Sequence, residues 1–449
     1  MSEGRNRQLR DLIAVLLALF ALSRCTAQPQ PIFKHTLPNG VRVILQNDAN
    51  SDFVAICVFI RAGVAEEEGM IGVGRVVAYS LFGSNINQSR ESVRRALFLV
   101  GGSLETVWNP DYTLITCVTT RAAFDDAVWS IGQAIKNAEI DRETLEAARR
   151  SVQQEASIAA ADPFKVAYGL LRQRLHSESP YHQPFFPSAE ALRRITREMA
   201  YRFYQTRYTP QNTVVSIVGN ISSERALRVV ENQMIDFNRP ENAYRRRRAA
   251  PEPSLPTETV VVRHRMPATS TLLLAGMRAP GVTEADYPAF SVLTSLIGGG
   301  KSSRLFRAVR DTQGIGYRVG AYTPPLAKGG HLLAFVEFDS SQARAGKSGL
   351  TVGEVERTLR DTIRSVIHSP PDQREVERAK RYTMGTHALA HQRVRDRAFY
   401  LGWYESIGAG YVWDEEFARR VGEVSVEDVR RVAERYLRAM AVVVVEPEK

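Results

Sequence analysis

Apolar positions along this chain change period, and the changes mark its elements. The runs Val54–Arg61, Thr113–Val118, Thr213–Val218, Thr271–Gly276 and Ala441–Val445 carry the apolar pattern of strands. Between them, stretches such as Arg142–Ala161 and Glu354–His368 repeat apolar residues at helical spacing and predict long amphipathic helices. The order of these elements occurs twice. Strand Ala55–Ile60 leads through Arg61-Ala62-Gly63 and an acidic turn (Glu66-Glu67-Glu68-Gly69) into a helix that ends at Gly83-Ser84. Strand Thr271–Gly276 leads through Arg278-Ala279-Pro280-Gly281 and Glu284 into a helix that ends at Gly298-Gly299. Each half also closes alike. Thr196 and Ser425 are expected N-caps, each followed by an acid that suits the positive end of a helix, and each helix precedes a strand. The copies lie about 215–230 residues apart, too far for a solenoid, so the pattern is a domain duplication. The join, Asn238–Pro256, holds Pro240, Pro251, Pro253 and Pro256, a composition that reads as an extended linker. The expected divisions are residues 1–30 as an export segment or anchor, 31–238 as a first domain, 239–256 as linker and 257–449 as a second domain. The fold class is α+β, each half a sheet covered by helices.

Composition refines this picture little. A chain of 449 residues exceeds one ordinary core, and 44% hydrophobic with 24% charged residues is ordinary for globular domains. The net charge of +10 comes largely from scattered arginine on helices that also carry glutamate. Its one dense run, Arg245–Arg248, sits in the Pro-rich linker, where it reads as a solvated segment and not as a nucleic-acid site. The N-terminus is more specific. Arg5, Arg7 and Arg10 precede the apolar run Leu12–Leu22 and then small residues, the layout of a secretory signal. The expected address is therefore outside the cytoplasm, periplasmic or membrane-associated. Leu22-Ser23-Arg24-Cys25 is similar to a lipobox, with Arg24 departing from it, so lipidation of Cys25 and retention of the segment as an anchor are the alternatives to simple export. Cys57 and Cys117 fall in strand-like runs and read as buried thiols, a disulfide between them being left open.

The chemistry lies in three places. The helix from Gly72 to Phe82 puts Arg75, Ala78 and Tyr79 at i, i+3 and i+4, on one face. The loop Gly298-Gly299-Gly300-Lys301-Ser302-Ser303-Arg304-Leu305-Phe306 runs on to Arg310 and Gly316-Tyr317. Further motifs are Thr36-Leu37-Pro38-Asn39-Gly40-Val41-Arg42-Val43 and Tyr204-x-x-x-Tyr208-x-Pro210-x-Asn212, before a strand ending Val218-Gly219-Asn220. Together these pieces resemble the M16 family of insulinase-like or pitrilysin-like zinc peptidases, from about His35 to the C-terminus. The resemblance implies two homologous halves, each with a mostly antiparallel sheet, packed as a clam shell around a peptide chamber. In active members the first half carries an inverted His-x-x-Glu-His. Here Arg75, Ala78 and Tyr79 stand at those three positions, so two ligands and the base are lost. Glu155, 76 residues after Tyr79, matches the distant glutamate ligand, and the four residues together mark a vestigial zinc site. By the same resemblance Tyr317 donates to the scissile carbonyl and Arg310 holds substrate backbone, while Gly298, Gly299, Gly300, Ser302 and Ser303 form a substrate-binding loop.

Gly298–Ser302 lacks the earlier glycine of a phosphate loop, because Ser295 stands there. His387 and His391 are at helical i, i+4 spacing, but no glutamate lies between them and a third ligand would have to come from something like Asp396. His176 and His182 flank Ser179-Pro180-Tyr181 and read as loop residues. The leading function is a non-catalytic subunit of a heterodimeric peptidase. It binds no cofactor itself and supplies Arg310 and Tyr317 to a zinc-bearing M16 homologue acting on peptide substrates. The alternatives are a stand-alone peptide-binding scaffold and, third, an independent metallopeptidase built around Glu155 or the His387/His391 pair.

Overall fold

The computed structural model describes residues 31–67, 69–100, 102–177, 179–239, 258–339 and 350–448. The export segment with Cys25, and the linker from Pro240 with Arg245–Arg248, lie outside the described residues. The first half holds strands β1 (Ile32–Thr36), β2 (Arg42–Asn47), β3 (Phe53–Ile60), β4 (Ser103–Trp108), β5 (Thr113–Thr120) and β6 (Thr213–Gly219). Its helices of eight residues or more are α1 (Val73–Ser80), α2 (Arg90–Leu99), α3 (Phe124–Asn137), α4 (Arg142–Ala160), α5 (Pro163–Leu175), α6 (Arg197–Arg207) and α7 (Ser223–Met234). The second half holds β7 (Val260–Met266), β8 (Thr271–Ala279), β9 (Arg318–Tyr322), β10 (Gly330–Phe338) and β11 (Ala441–Pro447). Its longer helices are α8 (Tyr287–Gly298), α9 (Val352–His368), α10 (Gln373–Leu389), α11 (Val394–Ile407), α12 (Trp413–Glu423) and α13 (Val426–Tyr436).

The duplication is plain in the sheets. The first runs β1-β2-β6-β3-β5-β4 and the second β7-β11-β8-β10-β9. Only β2 with β6 and β7 with β11 pair in parallel; the other neighbours are antiparallel. Thr196 and Ser425 both cap their helices as their sequence positions suggest, through Met199 N–H (3.2 Å) and Asp428 N–H (3.1 Å).

One arrangement departs from two self-contained halves. On β3, Val54, Ile56, Val58 and Ile60 face the first half's own helices, while Ala55, Cys57 and Phe59 face a separate cluster built on α11. On β8, Leu273, Ala275 and Met277 face home helices, while Leu272 and Leu274 meet α5 of the first half. Each half thus lends one helix to the back of the other's sheet. This is why both central strands are apolar on both faces. Close approach at each crossing needs a glycine. A Cβ on Gly402 would lie 2.4 Å from Ser216 Oγ, and one on Gly276 would lie 2.4 Å from Leu171 Cδ2. Ion pairs rim the first crossing, Arg395 with Glu105 at 2.8 Å and Lys34 with Glu405 at 2.8 Å. Cys57 and Cys117 are free and belong to clusters on opposite faces of the sheet, which rules out a bond between them. Among the described residues no helix is long and apolar enough to cross a membrane.

The second crossing corrects the placement of His176. It is not a solvated loop residue but fully buried at the seam between the halves, just after α5. Arg278, which can only donate, gives a hydrogen bond to His176 Nδ1 (2.7 Å). His176 Nε2–H then donates to His331 Nδ1 (2.9 Å), and His331 Nε2–H to Tyr168 Oη (2.9 Å). Burial, with Arg278 and Arg172 nearby, keeps both imidazoles neutral far below the usual histidine range. On unfolding both regain ordinary values near 6.5, so below that pH the unfolded chain binds more protons and stability falls. We expect each of the two to contribute about 1 kcal/mol of destabilisation per pH unit below 6.5. Urea midpoints at pH 7.5 and 5.5 should show this, and a His176→Gln/His331→Gln variant should lose that part of the slope.

Candidate functional site

The turn before α1 is held by Glu67, whose two oxygens accept from Gly72 N–H and Gly74 N–H, each at 3.0 Å. Full burial pushes this carboxyl up to about 7 despite the two donors that favour its charge. Gly72 has φ +89°, and a Cβ there would strike Pro187 at 2.5 Å, so the turn demands glycine. The helix so anchored presents Arg75, Ala78 and Tyr79, but not to an open chamber. Arg75 and Ala78 are buried, at 2% and 1% exposure.

Arg75, which the sequence resemblance sets at a ligand position, is tied down on all sides. Its Nη1 donates to Glu155 Oε2 at 2.8 Å and its Nη2 to the Phe185 carbonyl at 3.2 Å. Its guanidinium carbon lies 4.9 Å from the Trp108 ring, 4.9 Å from Phe185 and 4.3 Å from Phe186. Tyr79 Oη donates to the same Glu155 oxygen at 2.6 Å. Burial and that carboxylate push the phenol up to about 12, so it stays a donor at all ordinary pH. Ala78 packs with Val64, Trp108, Tyr181 and, from the second half, Leu326. Glu155 Oε2 is therefore the common acceptor of Arg75 and Tyr79. The residues here do not fit zinc. Arginine and alanine offer no lone pair, the Tyr79 phenol is a poor zinc ligand, and Glu155 is already engaged by a cation and a phenol.

The spacing of Arg75, Tyr79 and Glu155 was legible in the sequence, whereas the aromatic cage was not. Trp108 ends β4, and Phe185 and Phe186 sit in a Pro-bracketed loop, Pro184 to Pro187. An arginine at a buried position asks for aromatic faces, and the Phe185-Phe186 pair was the available signal.

Arg310 and Tyr317 lie in the second half on one turn. Arg310 belongs to a π-helical stretch, Arg307–Thr312, and its Nη1 donates to the Gly316 carbonyl at 2.9 Å. Gly314 (φ +69°) and Gly316 (φ +93°) allow the chain to return so tightly. Tyr317 N–H donates to the Glu337 carbonyl at 2.7 Å, and its side chain is 61% exposed. The glycine loop before it is shaped by packing. A Cβ on Gly298 would lie 2.2 Å from Ala321 N, and Gly300 (φ +76°) lies against the Tyr382 ring. Ser303 is buried, donating to the Gly300 carbonyl at 2.7 Å and capping the short helix that follows, while Ser302 is exposed.

His387 and His391 do converge with a carboxylate, but it is Asp414 on α12 and not Asp396.

Two family models match in tandem, one described as Insulinase (Peptidase family M16) over residues 42–186 and one as Peptidase M16 inactive domain over residues 194–382. The chain belongs to the M16 peptidase family. It is 25% identical over 407 residues to an uncharacterized zinc protease of Mycobacterium tuberculosis, covering 90% of each chain. To an uncharacterized zinc protease of Bacillus subtilis it is 21% identical over 403 residues, covering 90% of this chain and 95% of the relative. Its fold matches the peptidase M16 inactive domain from Pseudomonas fluorescens with a TM-score of 0.82, at 17% identity, over 93% of this chain and 98% of the other. A protease from Helicobacter pylori matches with a TM-score of 0.80, at 16% identity, over 93% and 100%.

Proposed function

We propose that this chain is a non-catalytic M16 subunit that completes a peptidase together with a zinc-bearing M16 homologue. The single observation that carries this reading is Arg75 in the metal position, paired with Glu155 and enclosed by three aromatic rings. A guanidinium has no lone pair to give a metal, so this face serves packing in place of metal binding. The second half keeps Tyr317 exposed on a turn organised by Arg310. In the complex, Tyr317 Oη donates to the carbonyl oxygen of a peptide bond as negative charge develops there, and Arg310 holds substrate backbone next to it. Gly298–Ser303 forms the rim along which the peptide runs. Activation of water falls to the other chain. The basic-then-apolar N-terminus supports export, with the complex working in the periplasm or at the membrane surface.

The test is hydrolysis of a quenched peptide by the mature chain alone, by its zinc-bearing homologue alone, and by the mixture. Activity is expected only in the mixture, with Tyr317→Phe lowering kcat roughly 100-fold, as for loss of one oxyanion donor. Peptide binding without turnover in any mixture would favour a scaffold. Turnover by this chain alone would overturn the reading.

A further inference from the structure

Among the described residues, one group of three metal-ligating side chains gathers its donor atoms within 4.8 Å: His387, His391 and Asp414. It belongs to neither the vestigial site nor the Arg310/Tyr317 turn. His387 is in the last turn of α10, His391 follows that helix, and Asp414 is in the first turn of α12. Asp414 Oδ1 lies 3.3 Å from His387 Nε2 and 2.9 Å from His391 Nε2. Ligand atoms about 2.0–2.1 Å from a tetrahedral ion stand about 3.3 Å apart, so these spacings need only small adjustment.

Three further features separate this cluster from an ordinary surface ion pair. First, His391 Nδ1 is 2.6 Å from the His387 carbonyl, an acceptor, so Nδ1 carries the proton and Nε2 is the atom that faces Asp414. A ring N–H tied to a backbone carbonyl is the arrangement that orients histidine toward a metal. Second, His391 Nε2 and Asp414 Oδ1 are both shut off from solvent and lie 2.9 Å apart. A cation shared between them would take a lone pair from each in place of the proton. Third, the side chains are only 15–16% exposed and sit in an aromatic wall: Tyr400 stacks on His391 at 4.3 Å, and Phe417 lies 5.2 Å from His387.

We propose that His387, His391 and Asp414 bind one divalent transition-metal ion of the zinc class, with water in the remaining position. Imidazole and carboxylate donors suit zinc, copper or nickel better than calcium or magnesium. The role follows from position. The turn at residues 390–393 is where the chain leaves α10 and enters α11, the helix lent to the first half's sheet. A metal here fastens α10 to α12 at the foot of that crossing and fixes how the halves are clamped. This inference does not depend on the peptidase reading, since the ion is structural.

The experiment is zinc titration calorimetry on the full chain after stripping with EDTA, with metal analysis of the gel-filtered product. One equivalent should bind, and the thermal midpoint should rise with zinc concentration. His387→Gln and His391→Gln should each weaken binding more than about 100-fold, beyond the roughly 10–100-fold of an outer partner. Glu155→Gln should leave the stoichiometry at one. If a histidine variant fails to fold, copper loaded on the unmodified chain gives a second measurement, its paramagnetic resonance spectrum showing two nitrogen ligands. No binding at micromolar zinc, binding retained in the His387→Gln/His391→Gln double variant, binding abolished by Glu155→Gln, or a copper spectrum without two nitrogens would each overturn the proposal.

Discussion

Arg75→Ala is expected to lower the unfolding free energy by about 3–5 kcal/mol, the range for emptying a large, closed core position. The side chain is 3% exposed and fills the space bounded by Trp108, Phe185 and Phe186. Truncation leaves a cavity under three rings. Its charge contributes less, because Glu155 is 41% exposed at the side chain, so water screens the pair and can replace the lost donor. That difference makes a second variant informative. Arg75→Met keeps the apolar stem and most of the volume, and removing a buried cation in favour of a well-packed apolar group is often neutral. We therefore expect Arg75→Met to cost within about 1 kcal/mol, with Tyr79 still donating to Glu155. Urea denaturation of both variants decides the matter. If methionine is as damaging as alanine, the ion pair and not the packing holds the site together. Neither variant should gain zinc at this position, because Ala78 and Tyr79 remain.

Repeated order, capping residues and linker composition are local signals, and the duplicated sheets and the caps at Thr196 and Ser425 were legible from them. The meeting of Arg75, Tyr79 and Glu155 was legible in part, because helical spacing and the 76-residue interval to Glu155 are one-dimensional. What covers a face is not one-dimensional. The apolar residues of α5 and α11 say that these helices are buried, not that they are buried against the other half's sheet. The hint lay in β3 and β8, whose apolar runs leave no polar face. His176 looked like a loop residue because it follows a helix and precedes Ser179-Pro180, yet its partners, Arg278 and His331, lie 102 and 155 residues away. Asp414 is hidden as the third member of the histidine cluster for the same reason: it lies on the next helix but one, whereas Asp396 is nearer along the chain.

The exchange of helices gives the other large expected effect. Gly402→Val should destabilise the chain by about 3 kcal/mol, the upper end for an overpacked core. A Cβ at residue 402 would lie 2.4 Å from Ser216 Oγ and 2.6 Å from Phe59 Cε2, and both of those residues are fully buried in the first half's sheet. Neither a strand serine nor a wedged aromatic ring can move aside, so α11 must lift off β3 and β6. Gly276→Val should cost less, because its first obstacles are the tips of Leu171 and Leu175, which can change rotamer. Helix propensity alone predicts the opposite sign, since glycine is the poorer helix former by roughly 1 kcal/mol relative to alanine. Gly385→Ala tests that baseline: residue 385 is exposed inside α10 with nothing within 4 Å of its Cβ position, and substitution there should stabilise by about 0.5–1 kcal/mol. Opposite signs at residues 402 and 385, read from urea midpoints, would show that the glycine in α11 serves contact between the halves. A Gly402→Val variant as stable as the unmodified chain would mean that the crossing helix is not what joins them. The stake is functional, because the lent helices are what set the two halves against each other. On the proposed function, the Arg310/Tyr317 turn meets substrate in the complex only if the half that carries it is held in place.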